Sequence, residues 1–239
     1  HQLVPVLVEG ALWSNALAFA SFVLAAVGIP LLVFAFYTFN LGAPALWGGW
    51  FINIAILLYL INLAGSIQKS KTENVHAVYI FTAAAWLLLT TAAGLMLVYN
   101  FTSPFLPADS LHYLSLHAHL GLAGWFLLLV IGVGSRLIPM FLISKYDNTR
   151  LLWIIFYLVN GSLILFISLY FTKISLSFYA IPAMGTLAAL GLFFFFCIKA
   201  YRQRIRKGVD EPMQVSLISV IMMVLPLILL LLLLAYLFF

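Results

Sequence analysis

Seven apolar runs dominate this chain, each long enough to cross a hydrocarbon core about 30 Å thick. They lie near Asn15–Tyr37, Leu46–Ile67, Val75–Tyr99, Leu116–Ser144, Leu151–Phe171, Leu176–Ala200 and Val215–Phe239. Lipid offers no hydrogen bonds, so a spanning backbone must satisfy itself as a helix or a closed barrel. These runs are hydrophobic on every side and do not alternate, which does not fit a barrel strand. The expected fold is therefore all-α, a polytopic transmembrane helix bundle of seven spans with membrane lipid as its first partner. Composition agrees: 66% of the 239 residues are hydrophobic and 7% are charged, where a soluble domain carries about 25% charged residues. A cytosolic enzyme, a disordered chain, a disulfide-rich secreted domain and a nucleic-acid binder are all excluded. The single cysteine, Cys197, sits inside an apolar run and rules out intrachain disulfides, zinc–thiolate sites and iron–sulfur clusters.

The +5 net charge follows from loop bias. If every run spans, ten of the eleven positive charges fall on one side: Lys69, Lys71, Arg136, Lys145, Arg150, Lys199, Arg202, Arg204, Arg206 and Lys207. Lys173 alone falls on the other. Basic loops stay cytoplasmic, so an integral protein of a bacterial inner membrane is expected, with the C-terminus outside. The Asn100–Ser115 loop, with Pro104, Pro107 and Asp109, is expected to be ordered and extracytoplasmic.

A weak internal repeat appears at an offset of 134 residues. Gln2-Leu3-Val4-Pro5-Val6-Leu7-Val8 matches Arg136-Leu137-Ile138-Pro139-Met140-Phe141-Leu142, and Ser14-Asn15 matches Asn148-Thr149. The second copy of the Leu-Ile-Pro string ends a helix, so Gln2–Val8 is expected to end one too. The chain, residues 1–239, then reads as one transmembrane domain, N-terminally truncated, with the end of a preceding helix at its start. Chance similarity between two apolar strings is the alternative.

The histidines carry the functional information. His117 and His119 lie at the beginning of the fourth span, where an intramembrane imidazole is a functional signal by default. At about 100° per residue their side chains point roughly 200° apart, so one helix can serve two sites but not one shared metal. Gly121 and Gly124 follow His117 at i+4 and i+7 and leave a shallow surface against which a planar macrocycle, or a neighbouring helix, could lie. Neutral imidazole is a common axial ligand of haem iron. The alternative is that both rings sit at headgroup depth with ordinary hydrogen bonds. His112, in the loop before, could bond a haem propionate, help bind a metal or face water. His76 begins the third span at the opposite membrane face, and His1 has no assignable chemistry. Asn53, Asn62, Thr82, Thr90, Thr91, Asn160 and Ser162 are expected to hydrogen-bond between helices. No carboxylate lies at mid-membrane, so no acid-lined ion path is visible. Arg136, about 25 Å along a helix from His119, cannot reach a ligand there.

The string His117-Ala118-His119-Leu120-Gly121-Leu122-Ala123-Gly124-Trp125, followed by Gly132 and Leu137-Ile138-Pro139, resembles helix ten of the haem-copper oxidase catalytic subunit, and its cbb-type members most. That resemblance implies a helix running inward from the outer face, with His117 as proximal ligand of one b-type or related haem and His119 as ligand of a second. It implies oxidoreductase, electron-transfer or dioxygen and nitric-oxide chemistry, with further respiratory-complex subunits and a cytochrome or quinol electron donor as partners. The family's copper-binding histidine pair has no counterpart in Phe34-Ala35-Phe36-Tyr37-Thr38-Phe39-Asn40, so copper is not implied by these residues. A cut-down, haem-binding relative is the closer match. Two other classes account for the spans: a multipass transporter, which would show broken helices or mid-membrane polar clusters, and a non-catalytic structural subunit, in which the histidines only pack.

Overall fold

A computed structural model describes residues 1–70, 74–172, 174–205 and 208–238. Lys71, Lys173, Arg206 and Lys207, which entered the charge argument, and Phe239 lie outside the described residues. The described chain is helical: α1 Val4–Val8, α2 Asn15–Tyr37, α3 Ala43–Lys69, α4 Val75–Thr102, α5 Leu114–His119, a π-helix Leu120–Leu127, α6 Leu128–Leu142, α7 Thr149–Thr172, a 3-10 turn Leu176–Tyr179, α8 Ala180–Arg202, α9 Glu211–Met222 and α10 Leu225–Phe238. Helix α5, the π-helix and α6 form one continuous span, Leu114–Leu142.

Among the described residues six helices, where seven spans were expected, are each long and apolar enough to cross a membrane. The difference lies in Val215–Phe239, which splits into α9 and α10 around Met223 and Val224. Pro226 accounts for the break, because it has no N–H for the Met222 carbonyl and its ring clashes with that carbonyl in a continuous helix.

The chain divides into two compact units, His1–Leu127 and Leu128–Phe239, with the boundary inside the fourth span. Each unit repeats the same local events at the offset seen in sequence. In the first, α1 ends on Glu9 in the left-handed region (φ 54°), and Gly10 N donates to Pro5 O at 3.1 Å. In the second, α6 ends on Ile143 (φ 48°), and Ser144 N donates to Pro139 O at 2.9 Å. A left-handed residue closing a helix is normally glycine. A β-branched isoleucine there is strained, so the matching cap is not a default of the local sequence.

The next helix start repeats as well. Ser14 Oγ accepts from Leu17 N at 3.3 Å, and Asn148 Oδ1 accepts from Leu151 N at 3.0 Å. These side chains satisfy N–H groups that a helix start leaves open. From there α2 corresponds to α7, α3 to the 3-10 turn with α8, and α4 to the broken pair α9 and α10.

The helix crossings correspond too. In the first unit a Cβ at Gly28 would lie 3.1 Å from Phe51 Cβ and 3.0 Å from the Gly48 carbonyl, so α2 and α3 meet nearly backbone to backbone. At the same crossing in the second unit the small residue has moved to the partner helix: Gly185 makes room for the Ser162 hydroxyl. Small residues at such crossings let helices approach closely where lipid gives no hydrophobic drive between them.

In each unit the loops beside the left-handed cap, at one end of its helices, are tied locally. In the first unit Ser70 Oγ donates to Val8 O (2.7 Å) and Asn74 Nδ2 to Leu7 O (2.9 Å). In the second, Ile205 N donates to Ile143 O (3.2 Å) beside an isolated bridge between Ser144 and Arg204, which brings Lys145 and Arg202 to one end. At the other end, Asn100 orders the loop after α4: Oδ1 accepts from Phe105 N and Leu106 N, and Nδ2 donates to Ala108 O and Ser110 Oγ.

A candidate ligand groove in the first unit

Within the first unit the helices follow one another in an arc. Helix α2 packs on α3, α3 on α4, and α4 on α5 and the π-helix, whereas α2 and the π-helix share no packed interface. The arc encloses a cavity of about 560 Å³, within the range of about 300–1,000 Å³ usual for ligand sites. Leu32 and Phe36 of α2, Gly49, Ile52 and Asn53 of α3, and Thr90, Thr91, Gly94 and Leu95 of α4 line it. The wall opposite α2 is His117, Ala118, Gly121, Leu122, Trp125 and Phe126.

His117 stands on this wall, half-buried. Its imidazole fits because α4 carries Gly94: a Cβ there would come within 3.0 Å of His117 Cε1. The ring interacts with the Thr90 backbone, yet its Nδ1 is buried with no hydrogen-bond partner. The amide and hydroxyl side chains of the cavity are satisfied by protein. Thr91 Oγ1 donates to Asn53 Oδ1 (3.1 Å), and Asn53 Nδ2 donates to Thr91 O (3.1 Å) and Gly49 O (2.8 Å). Thr90 Oγ1 donates to Trp86 O (2.8 Å). Asn53 and Thr91 thus join α3 to α4, while Asn160 Nδ2 donates within its own helix to Phe156 O at 2.9 Å.

The remaining predicted residues separate. His119 is exposed and off the groove, with Nδ1 donating to Ser115 O at 2.8 Å. Such a bond fixes the imidazole tautomer and ring direction. Gly121 lines the groove but also faces α4, where a Cβ would lie 3.2 Å from Thr90 Cγ2. Gly124 is buried and lies off the groove. Residues 120–127 form a π-helix, whose i→i+5 bonds put an extra residue in each turn. The i+7 position therefore does not return to the His117 face. Trp125, at i+8, does.

His112 is exposed in the loop, its backbone N–H on Asp109 Oδ1 (2.8 Å) and its ring against Tyr113. His1 instead joins a polar cluster: Nε2 lies 2.7 Å from Ser21 Oγ, Nδ1 lies 3.4 Å from Asn62 Nδ2, and Tyr59 contacts the ring edge-on. Asn62 also holds both backbone groups of Ser14. Among the described residues no group of three or more His, Cys, Asp or Glu could hold a metal ion.

Gly94 escaped the sequence reading. A lone glycine inside a long helix, with no cap to form, is a recognised sign of close approach, but its partner lies on another helix. No family model, no curated protein and no solved structure matches the chain.

Proposed function

We propose that this is an integral membrane haem protein in which His117 ligates the iron of a b-type or related haem lying in the groove of the first unit. The observation that carries the reading is the buried, unpartnered Nδ1 of His117 beside an apolar cavity. A buried polar atom left unpaired costs about 1–3 kcal/mol, a cost relieved when the ring turns this nitrogen toward a ligand in the cavity. The residues present fit the macrocycle: an imidazole with an apolar lining around it. A bound haem would supply one-electron chemistry and the binding of a small gas such as dioxygen or nitric oxide. The chain's own residues hold and shape the site. His117 ligates, Gly94 leaves room for its ring, Asn53 and Thr91 fix α3 against α4, and Leu32, Phe36, Leu122 and Phe126 exclude water.

His119 faces a different site in this reading, in line with the two-haem pattern of the oxidase-like string. The respiratory partners, the oxidoreductase activity and the inner-membrane orientation with basic loops cytoplasmic belong to the same proposal. So does a seventh crossing made by α9 and α10 together: at 1.5 Å per residue they supply about 39 Å of helix, and neither alone is long enough. The break between them favours a second reading, a multipass transporter, since broken helices often line transport sites. Met223, Val224 and Pro226 bring no polar side chain to that break, so the haem reading accounts for more.

The test is an optical spectrum of the full chain after haem loading, oxidised and dithionite-reduced, for the parent and for His117→Ala and His119→Ala. A Soret band lost in His117→Ala, with the groove signal kept in His119→Ala, is expected. No haem spectrum, or one indifferent to His117, would overturn the assignment.

A further inference from the structure

The groove is open on one side. Its arc closes through α3 and α4 but leaves α2 and the π-helix unpacked against each other. The residues flanking that gap are apolar and exposed: Phe36 at 52%, Leu122 at 67% and Phe126 at 48%. None is polar, and all three belong to helices that qualify as membrane spans. A mouth facing water would carry polar side chains, and one sealed by packing would bury these. The polar groups of the groove sit on its inner walls, with Asn53 and Thr91 spent on each other and His117 Nδ1 left buried and unsatisfied.

We propose that the groove exchanges its occupant sideways with the bilayer, through a slot between α2 and the π-helix flanked by Phe36, Leu122 and Phe126. The occupant arrives dissolved in the hydrocarbon and reaches His117 without crossing the aqueous loops. Identifying that occupant as haem rests on the function proposed above; the slot itself does not. A planar macrocycle entering edge-on suits a gap between two helices, and its apolar faces match the lining. The π-helix supports the same path, because its wider turn brings Trp125 and Phe126 onto the slot face below Gly121 and Leu122.

The first test keeps Trp125 as the sole tryptophan, with Trp13, Trp47, Trp50, Trp86 and Trp153 replaced by Phe, in phosphatidylcholine vesicles. Lipid brominated along its acyl chains should remove most of the Trp125 emission, while acrylamide in the water should remove little. The reverse pattern, or protection from both quenchers, overturns the slot. If that variant does not fold, a spin label on Phe126→Cys serves instead, since the native Cys197 is buried. Collisions should then be frequent with dissolved oxygen and rare with a water-soluble nickel chelate; the opposite ratio overturns the slot. A third measurement follows haem uptake from haem-charged vesicles. Leu122→Trp should slow uptake about ten-fold, as gated association does; unchanged uptake overturns lateral loading. His117→Ala should abolish the Soret band and leave bromine quenching intact, so failure of the haem reading and failure of the slot are separable.

Discussion

The two units share a plan and differ where a ligand would lie. In the first, α4 passes the groove unbroken and carries Thr90, Thr91 and Gly94, facing Asn53 of α3. The corresponding positions of the second unit are Val224, Leu225, Ile228 and Leu187. Every polar or small side chain has become a larger apolar one, and the helix itself breaks at the position matching Thr90. The same succession of cap, helix and helix thus carries a few polar groups on the wall of an apolar groove in one unit and apolar side chains at the matching positions of the other.

Substituting residues of one unit into the other tests this directly. The largest effect is expected from Gly94→Ile, which installs the second unit's residue where the His117 ring lies. With a Cβ already due within 3.0 Å of Cε1, the ring must leave the groove, haem loading should vanish, and overpacking should cost about 1–3 kcal/mol. Haem titration and a thermal melt read both, and retained haem would break the claim that Gly94 defines the site. Next is a double-mutant cycle at the α2–α3 crossing. Gly28→Ser alone should destabilise by about 1–2 kcal/mol, and Phe51→Gly should recover part of that loss by recreating the Ser162–Gly185 arrangement. Additive losses would mean that the two crossings are not equivalent.

A smaller effect is expected from Asn53→Leu, which copies Leu187. Thr91 can still donate to the Leu87 and Leu88 carbonyls of its own helix, so the cost should be about 0.6–2 kcal/mol and haem binding should persist. The smallest belongs to Pro226→Leu. Restoring the N–H should raise helicity by circular dichroism by a few residues at most, with the groove's haem affinity unchanged. An altered affinity would show that the break matters to function.

Much of this was legible in the sequence, for physical reasons. Length and hydropathy located the spans, because lipid leaves a backbone few alternatives. They expected one unbroken helix at Val215–Phe239, where the structure has two shorter ones, because hydropathy is blind to the missing N–H of Pro226. The separation of His117 from His119 followed from α-helical rotation and holds because α5 is a regular α-helix. The same rotation failed at Gly124, since the helix changes type after His119 and no residue between Leu120 and Leu127 announces it. Gly94, the Asn53–Thr91 pair and the His1–Asn62 cluster depend on which helices become neighbours, and periodicity along one helix does not contain that. The matching left-handed caps at Glu9 and Ile143 were foreshadowed only by a proline-centred string shared by two distant segments.

The π-helix beneath His119 also has a consequence in time. Its amides are held by hydrogen bonds of a rare and poorer kind, inside a span whose other turns are regular. Those amides are expected to exchange with deuterium ahead of the rest of Leu114–Leu142, through local openings that leave the span intact. Shifting one residue of slack along the helix would turn the wall bearing Gly121 and Trp125 without unfolding it. The groove wall is then the least permanent part of its own helix, and a ligand that holds it still would be detected first as a slowing of that exchange.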